Sequence, residues 1–398
     1  MQFGLKLGSR NTGYTKDIIS LYDAGYFQYI ELFAVLESYD ETIEYWKQFS
    51  IPIIIHAPHS FAGMNLSLPE ERENNKKKLR ETFHFADALK SEFIIFHSGV
   101  NGAIEETITQ LRPFIDSRCL IENKPAIGLN GEKCLGSTPN EIELILNELR
   151  IGFCLDFGHA ICSANTMKKD ALDFINEFMA LNPSMYHLSD GEYTSELDSH
   201  AHYGKGTFPL KELLKMLPQG AKVSDEARND ADLHDFASDC LFFMSNLYLR
   251  KVSYSDMDLL YEWANDSDTR LNSFSSAAIP YEVHTQWFKD KLDSDSVLLL
   301  IYHHGDENIG QVRIELSADT ARLSCSISPS HRSKGYGYKM LLLAEEKVKR
   351  EYGTVNCLLG EVKNENIPSL QMMRRLNYSE EQEPGFVRFT KKISRDNE

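Results

Sequence analysis

The chain has 398 residues, 42% of them hydrophobic, and a formal net charge of −17, which is comfortable for two cores and long for one. No apolar run approaches the ~20 residues of a membrane-spanning helix, and the start MQFGLKLGSRN lacks a basic segment leading into a long apolar stretch, so no signal peptide is expected. Residues 1–245 carry 22 Lys+Arg against 36 Asp+Glu, a net −14 with no basic stripe, which argues against tight, nonspecific nucleic-acid binding.

In chain order, eight short apolar runs read as strands: Phe3–Gly8, Tyr29–Phe33, Pro52–His56, Phe93–His97, Cys119–Glu122, Ile151–Asp156, Met185–Leu188 and Ala221–Ser224. Amphipathic stretches lie between them, among them Lys16–Ala24, Glu70–Leu89, Ile104–Phe114, Pro139–Leu149, Ala171–Leu181 and Leu210–Leu217. Eight βα repeats in about 250 residues are the expectation for a (β/α)8 barrel, which carries its chemistry at the C-terminal ends of the strands. A closing helix is expected over Asp232–Asn246. The rhythm then changes: a strand-like run from Tyr248, a helix over Asp256–Asn265, paired strands Val297–His303 and Asn308–Leu316 around His304-Gly305-Asp306, and a strand Ala321–Ser328. A long helix Gly337–Tyr352, a strand Val355–Val362, a helix Ile367–Leu376 and a closing strand Phe386–Lys392 follow. The expected organisation is a barrel over 1–245 and an α+β domain over 246–398.

Candidate metal ligands stand mostly at the strand ends of the first part. They are His56, His97, Glu122, Asp156, His159, His187, Asp198, His200 and Glu226. One ion needs only about three or four protein ligands, so nine imidazoles and carboxylates brought to one end of a barrel point to several ions. Nitrogen and carboxylate donors are suitable for zinc, manganese or iron, and the absence of Cys argues against a purely structural zinc site. Asp225 beside Glu226 is an alternative ligand. The cysteines form no CxxC pair, and Cys119, Cys154 and Cys357 lie in strand-like runs; reduced thiols in a cytoplasmic protein are expected.

These segments resemble the endonuclease IV group of the xylose-isomerase-like barrels. The matching pieces are HAP with Asn65-Leu66 beyond it, FHSG, IEN, CLDFGHA, HLSDG, DSHAHYGKG and the acid of KVSDEA, over about residues 1–240. The resemblance implies a centre of up to three divalent ions, zinc foremost, that cleaves phosphodiester bonds with a metal-activated water. Sugar isomerases and epimerases of the same superfamily keep a single-ion subset, here Glu122, Asp156, His187 and Glu226, and use the two glutamates, Glu122 and Glu226, to move a proton beside a carbonyl. His97 and the Asp198/His200 pair favour the multinuclear form. Where the nucleases carry a DNA-probing aromatic after HAP, this chain has His59.

In the second part, His331-Arg-Ser-Lys-Gly-Tyr-Gly follows a strand and precedes a helix. Arg332-x-x-Gly335-x-Gly337 is a phosphate-cradle spacing, because glycines allow close backbone approach and helix N-terminal amides favour anions. With Asn366-x-x-Ser369 opening the last helix, the segment resembles the GNAT acetyltransferases over about 248–393. That resemblance implies acetyl-CoA as donor, its pyrophosphate received by Arg332, Ser333, Lys334, Gly335, Tyr336 and Gly337, with Asn366 near the pantetheine or the thiol and Ile327 and Ser369 among the other cofactor-binding residues. The stretch YEWANDSDTRLNSF and HTQWF is similar to GNAT enzymes acting on amino groups of nucleotide-linked sugars, which implies Trp263, Asn265, Arg270, Asn272, Phe274 and Trp287 around the acceptor. Glu361 is the candidate general base. The family's acid, a tyrosine, would fall near Met372-Met373, so either another group such as Tyr378 or Tyr336 serves or the thiolate leaves unprotonated.

The expected function is a two-part cytoplasmic enzyme of amino-sugar metabolism, with a small sugar or nucleotide-sugar substrate and neither nucleic acid nor membrane as partner. Its second part acetylates an amino sugar, and its barrel acts as an isomerase, epimerase or phosphoester hydrolase. The alternatives are a DNA-repair phosphodiesterase with an accessory acetyltransferase, and a chain with one half serving as a binding module.

Overall fold

The structure, a computed structural model, describes residues 1–229, 233–304 and 307–393. It divides into two compact units, Met1–Cys240 and Leu241–Glu398. Asp232, the expected start of the closing helix, and Gly305 and Asp306 of the expected turn lie outside the described residues. Among the described residues no helix is long and apolar enough to cross a membrane.

The first unit is a closed barrel of eight parallel strands in sequence order. They are β1 (Gln2–Gly8), β2 (Tyr29–Phe33), β3 (Ile53–His56), β4 (Ile94–His97), β5 (Cys119–Glu122), β6 (Gly152–Asp156), β7 (Met185–Leu188) and β8 (Lys222–Asp225), with β8 pairing back onto β1. Helices α1 (Thr15–Asp23), α2 (Tyr39–Lys47), α3 (Arg72–Ala88), α4 (Ile104–Leu111), α5 (Pro139–Leu149), α6 (Phe157–Met167), α7 (Ala171–Met179) and α8 (Leu210–Met216) connect them; α9 (His234–Tyr248) follows β8. The expected strand ends hold to within a residue or so. The chief difference is α6: CLDFGHA reads as a strand end alone, yet Asp156 also caps a helix, its side chain accepting from the His159 amide at 2.7 Å.

The barrel interior is layered, because alternate residues of a strand face the same side. Tyr29, Ile54, Ile95, Leu120, Cys154 and Met185 form a buried cluster. Two residues further along each strand stand Glu31, His56, His97, Glu122, Asp156 and His187, all buried. An apolar floor thus supports a layer of imidazoles and carboxylates. Gly4 of β1 makes the floor close: a Cβ there would lie 2.3 Å from the Tyr29 ring.

The second unit is a seven-stranded sheet in the order β14-β15-β13-β12-β11-β10-β9. Its elements run β9 (Leu249–Lys251), α10 (Met257–Asn265), α11 (Ser267–Asn272), α12 (Tyr281–Leu292), β10 (Val297–His304), β11 (Glu307–Ser317), β12 (Thr320–Ile327), α13 (Tyr336–Glu351), β13 (Cys357–Lys363), α14 (Ile367–Arg375), β14 (Ser379–Glu383) and β15 (Phe386–Lys392). All neighbouring pairs are antiparallel except β12/β13. That parallel pair is joined only from Thr320↔Cys357 to Arg322↔Leu359. Beyond it the two strands part, and Ser324–Ser326 face Gly360–Val362 across a cavity.

Candidate functional site

Strand register brings the barrel ligands together. His97 is paired with Glu122 across β4/β5, and Asp156 with His187 across β6/β7. Glu122 is the hub: His56 Nε2 lies 3.2 Å, His97 Nε2 3.0 Å and His187 Nδ1 3.3 Å from its Oε2, and His159 Nδ1 lies 3.3 Å from Oε1. His159 Nε2 is 3.3 Å from Asp198, which also contacts His200 Nε2. His187 Nδ1 is 2.7 Å and His200 Nδ1 3.7 Å from Glu226. All nine expected ligands therefore share one cluster.

Three overlapping trios, His56/His97/Glu122, Glu122/Asp156/His159 and His159/Asp198/His200, each have donor atoms within 4.8 Å of one another. Buried His200 Nδ1 has no hydrogen-bond partner among the described residues, whereas His187 Nδ1 faces Glu226 at 2.7 Å. A nitrogen-and-carboxylate donor set with an unsatisfied buried nitrogen fits divalent ions. His200 has φ 48°, an unusual backbone for a residue with a side chain. Its loop is fixed by Asp190, whose carboxylate accepts from the amides of Gly191, Gly204, Gly206 and Phe208 at 2.8–3.1 Å.

Asp225 is turned away: one oxygen accepts from the Ala227 amide at 3.0 Å, and burial beside Asp239 pushes its carboxyl well up. The electrostatics of the cluster follow from burial against pairing. Burial raises the Glu122 carboxyl, but His97 and His187 outweigh it and hold it well below the usual range. Burial pushes His97 down, and burial with the Lys124 charge lowers His59 to about 3.

Sequence reasoning missed two charged residues here. Lys6 and Glu31 are register partners across β1/β2. Lys6 Nζ contacts Glu31 at 3.1 Å and also Glu226, and Glu31 contacts His187 Nε2 at 2.8 Å. Burial disfavours the Lys6 ammonium, yet Glu226 and Glu31 hold it protonated. Their signal was a charge inside the runs GLKLG and YIELF, where alternation reads equally well as pointing outward.

The cavity over the cluster has a volume near 710 Å³; it is lined by Lys6, Lys124, Arg228 and, at its mouth, Phe61 and Leu129. Phe61 is 53% exposed, two residues beyond His59.

In the second unit, Gly335 (φ 77°) precedes α13, whose first turn holds Tyr336 and Gly337 and has no side-chain cap. Its unbonded amides suit an anion, and the residues present therefore fit the pyrophosphate of acetyl-CoA. Ser333 (φ 61°) and Lys334 lie in the same loop. Arg332 has a different occupation from that expected. Its guanidinium contacts Asp266, Asp268 (2.9 Å), Thr269 (3.1 Å) and the Ile327 carbonyl (3.3 Å).

The cavity in the strand gap, near 570 Å³, is lined by Glu361, Asn366, Ser369 and both Met372 and Met373. The Asn366 side chain caps α14 by accepting from the Ser369 amide at 3.2 Å. Glu361 is paired with Arg322 (2.9 Å) and Arg388 (3.5 Å). Of the six expected acceptor residues, Arg270, Asn272, Phe274 and Trp287 line the cavity. Trp263 packs in an apolar cluster and Asn265 is bonded to Ile279, so both serve the scaffold. Tyr378 needs correction as a catalytic acid: it is outside this lining, buried in the core, with its ring 5.4 Å from Lys391 Nζ. Tyr336 packs against Tyr302 and His304, also outside the lining.

A family model described as a xylose isomerase-like TIM barrel matches residues 20–221, half of the chain. The chain belongs to that family. Beyond the xylose isomerase-like barrel, a model of the GNAT acetyltransferase domain matches residues 246–379. The probable endonuclease 4 of Thermoplasma volcanium is 25% identical over 167 residues, 38% of this chain. The chain spans 58% of that relative's length. Similar solved structures include a D-tagatose 3-epimerase-like protein (19% identical, TM-score 0.47, 62% of this chain and 97% of that one) and the spermidine N-acetyltransferase of Vibrio cholerae (14% identical, TM-score 0.34, 36% and 94%).

Proposed function

We propose that the chain is a two-part enzyme of amino-sugar metabolism, in which the barrel is a metal-dependent phosphoester hydrolase and the second unit an acetyl-CoA-dependent N-acetyltransferase. The observation that carries the barrel reading is Glu122, in contact with four imidazoles at 3.0–3.3 Å. A single ion does not need so many donors. His56, His97 and Glu122 would hold one ion; Glu122, Asp156, His187 and Glu226 a second; His159, Asp198 and His200 a third. Such ions supply Lewis acidity at a phosphoryl group. The chain's own residues would orient the ligands, through Asp190 and Glu31, and Lys124 and Arg228 in the cavity lining offer positive charge to an anionic substrate. The smaller subset Glu122, Asp156, His187 and Glu226 keeps an isomerase or epimerase as the nearest variant of this reading.

In the second unit the amine nitrogen forms a bond to the thioester carbonyl carbon, the carbon–sulfur bond breaks, and the amine loses one proton. Glu361, which lines the cavity, would take that proton, directly or through water. Among the described residues no tyrosine lines that cavity, which supports departure of CoA as its thiolate.

A second reading, a DNA-repair phosphodiesterase, is favoured by exposed Phe61 at the mouth of the barrel cavity and by the endonuclease-type relative. The acidic charge of the chain opposes it.

Elemental analysis of the purified chain beside Glu122→Ala tests the metal centre: two to three ions per chain, falling in the variant, are expected. One ion in the wild type would replace the hydrolase with an isomerase or epimerase. Incision of an abasic duplex by the loaded chain, with no turnover of sugar phosphates, would establish the second reading instead.

A further inference from the structure

The charge pattern of the second cavity constrains the acceptor. Its lining contains one carboxylate, Glu361, already held by Arg322 and Arg388. Against it stand two guanidiniums, Arg270 and Arg313. Arg270 is largely spent on its own loop, donating to the Ala264 carbonyl at 2.6 Å and to Ser273 Oγ at 2.9 Å. Arg313 on β11 is not so spent. Its contacts are long: Nε to Glu315 at 3.5 Å and Nη2 to Ser324 Oγ at 3.5 Å. Glu315 lies outside the lining and is shared with Lys291 at 2.9 Å. Arg313 Nε is buried with no hydrogen-bond partner among the described residues.

The guanidinium lies over the Trp287 ring, 5.6 Å from its centroid. An aromatic face fixes the plane of an arginine and leaves its in-plane N–H donors for a carboxylate or phosphate. A polycationic amine, by contrast, finds no free carboxylate in this lining and meets two positive charges.

We propose that the amine acetylated by the second unit carries an anionic group, a phosphate or a carboxylate, and that Arg313 binds it. This rests on the acetyl-transfer reading of that unit. Arg313 on Trp287 then selects the acceptor, while Glu361 on the opposite strand serves the amine.

The test uses the full chain and measures CoA release from acetyl-CoA with glucosamine, glucosamine 6-phosphate, glucosaminic acid and spermidine. Wild type, Arg313→Gln and Arg313→Lys are compared. The expected result is a kcat/KM for at least one anionic acceptor about 10- to 100-fold above glucosamine and spermidine, the range for one charge-assisted hydrogen bond. The phosphate and carboxylate arms identify which anion is read. Arg313→Gln removes most of that advantage through KM, and Arg313→Lys restores part of it, since lysine keeps the charge without the fork.

Spermidine or glucosamine as the best acceptor overturns the proposal. So does an Arg313→Gln variant that lowers all four acceptors alike, or absence of turnover with both anionic amines. Calorimetric titration with CoA separates the two levels. A chain that fails to bind CoA refutes the acetyl-transfer reading, whereas one that binds CoA without an anion preference refutes only the role of Arg313.

Discussion

His187 Nε2 lies 2.8 Å from Glu31 Oε2, and both side chains are fully buried. The contact fixes which imidazole nitrogen faces the cluster: with Nε2 on Glu31, Nδ1 is turned to Glu122 and Glu226. A carboxylate behind a ligand histidine sets its tautomer and raises its basicity. Glu31→Gln is therefore expected to weaken metal binding about 10- to 100-fold while leaving the fold intact. Competition against a coloured chelator measures it; an unchanged affinity would reduce Glu31 to a packing residue.

Gly4 sits where the floor of the barrel closes, and a Cβ there would lie 2.3 Å from the Tyr29 ring. Tyr29 is held by Ser224 at 3.1 Å, and Ser224 in turn donates to Glu31. Gly4→Ala should destabilise the chain by about 1–3 kcal/mol, the usual cost of overpacking. It should also displace Glu31. Thermal unfolding and metal affinity measured on the same variant would show both effects together.

The cradle before α13 depends on backbone more than on the arginine of its motif. Gly335 has φ 77°, and Arg332 is engaged by Asp266 and Asp268. Gly335→Val is expected to weaken CoA binding by about tenfold or more, through backbone strain of about 1–3 kcal/mol. Arg332→Ala should weaken it less. Calorimetric titration of both variants with CoA checks the order, and the reverse order would return Arg332 to the pyrophosphate.

Asp256 carries the acid sensitivity of the strand–helix corner that opens the second unit. Hydrogen bonds from Arg250, at 2.8 Å to each oxygen, lower its carboxyl to about 2. A depressed carboxyl contributes stability above its ordinary value and loses it as pH falls. The contribution should be present above about pH 4 and fade towards pH 2. Screening at the partly exposed Arg250 limits it to about 1 kcal/mol. Urea unfolding of wild type and Asp256→Asn should show a gap at pH 7 that narrows between pH 4 and pH 2.

The barrel was legible because most of the expected ligands end apolar runs, and a closed parallel barrel gathers strand ends at one rim. His56, His97, Glu122 and His187 could be read that way from position alone. The helix α6 was not read, because in DFGH one aspartate is at once strand end, ligand and helix cap. Lys6 and Glu31 were missed since a charge in an alternating strand normally marks the solvent side, and here that side is the ligand layer. In the second unit, β14 escaped notice because SEEQE has no apolar alternation; it is an edge strand paired only with β15. Tyr378 was placed in the chemistry by analogy of role, whereas its neighbours assign it to the core. Arg313 had no signal in sequence, because its meaning comes from Trp287, brought against it by α12.

The apolar floor beneath the ligand layer has a kinetic meaning. Tyr29, Ile54, Ile95, Leu120, Cys154 and Met185 plug the barrel below Glu122, so among the described residues the approach to Glu122 is from the cavity side, where Phe61 and Leu129 stand. Whatever enters last must leave first. In the metal-dependent reading, ions would therefore have to be seated before the reactant arrives, and a reactant lodged at the mouth would lock them in.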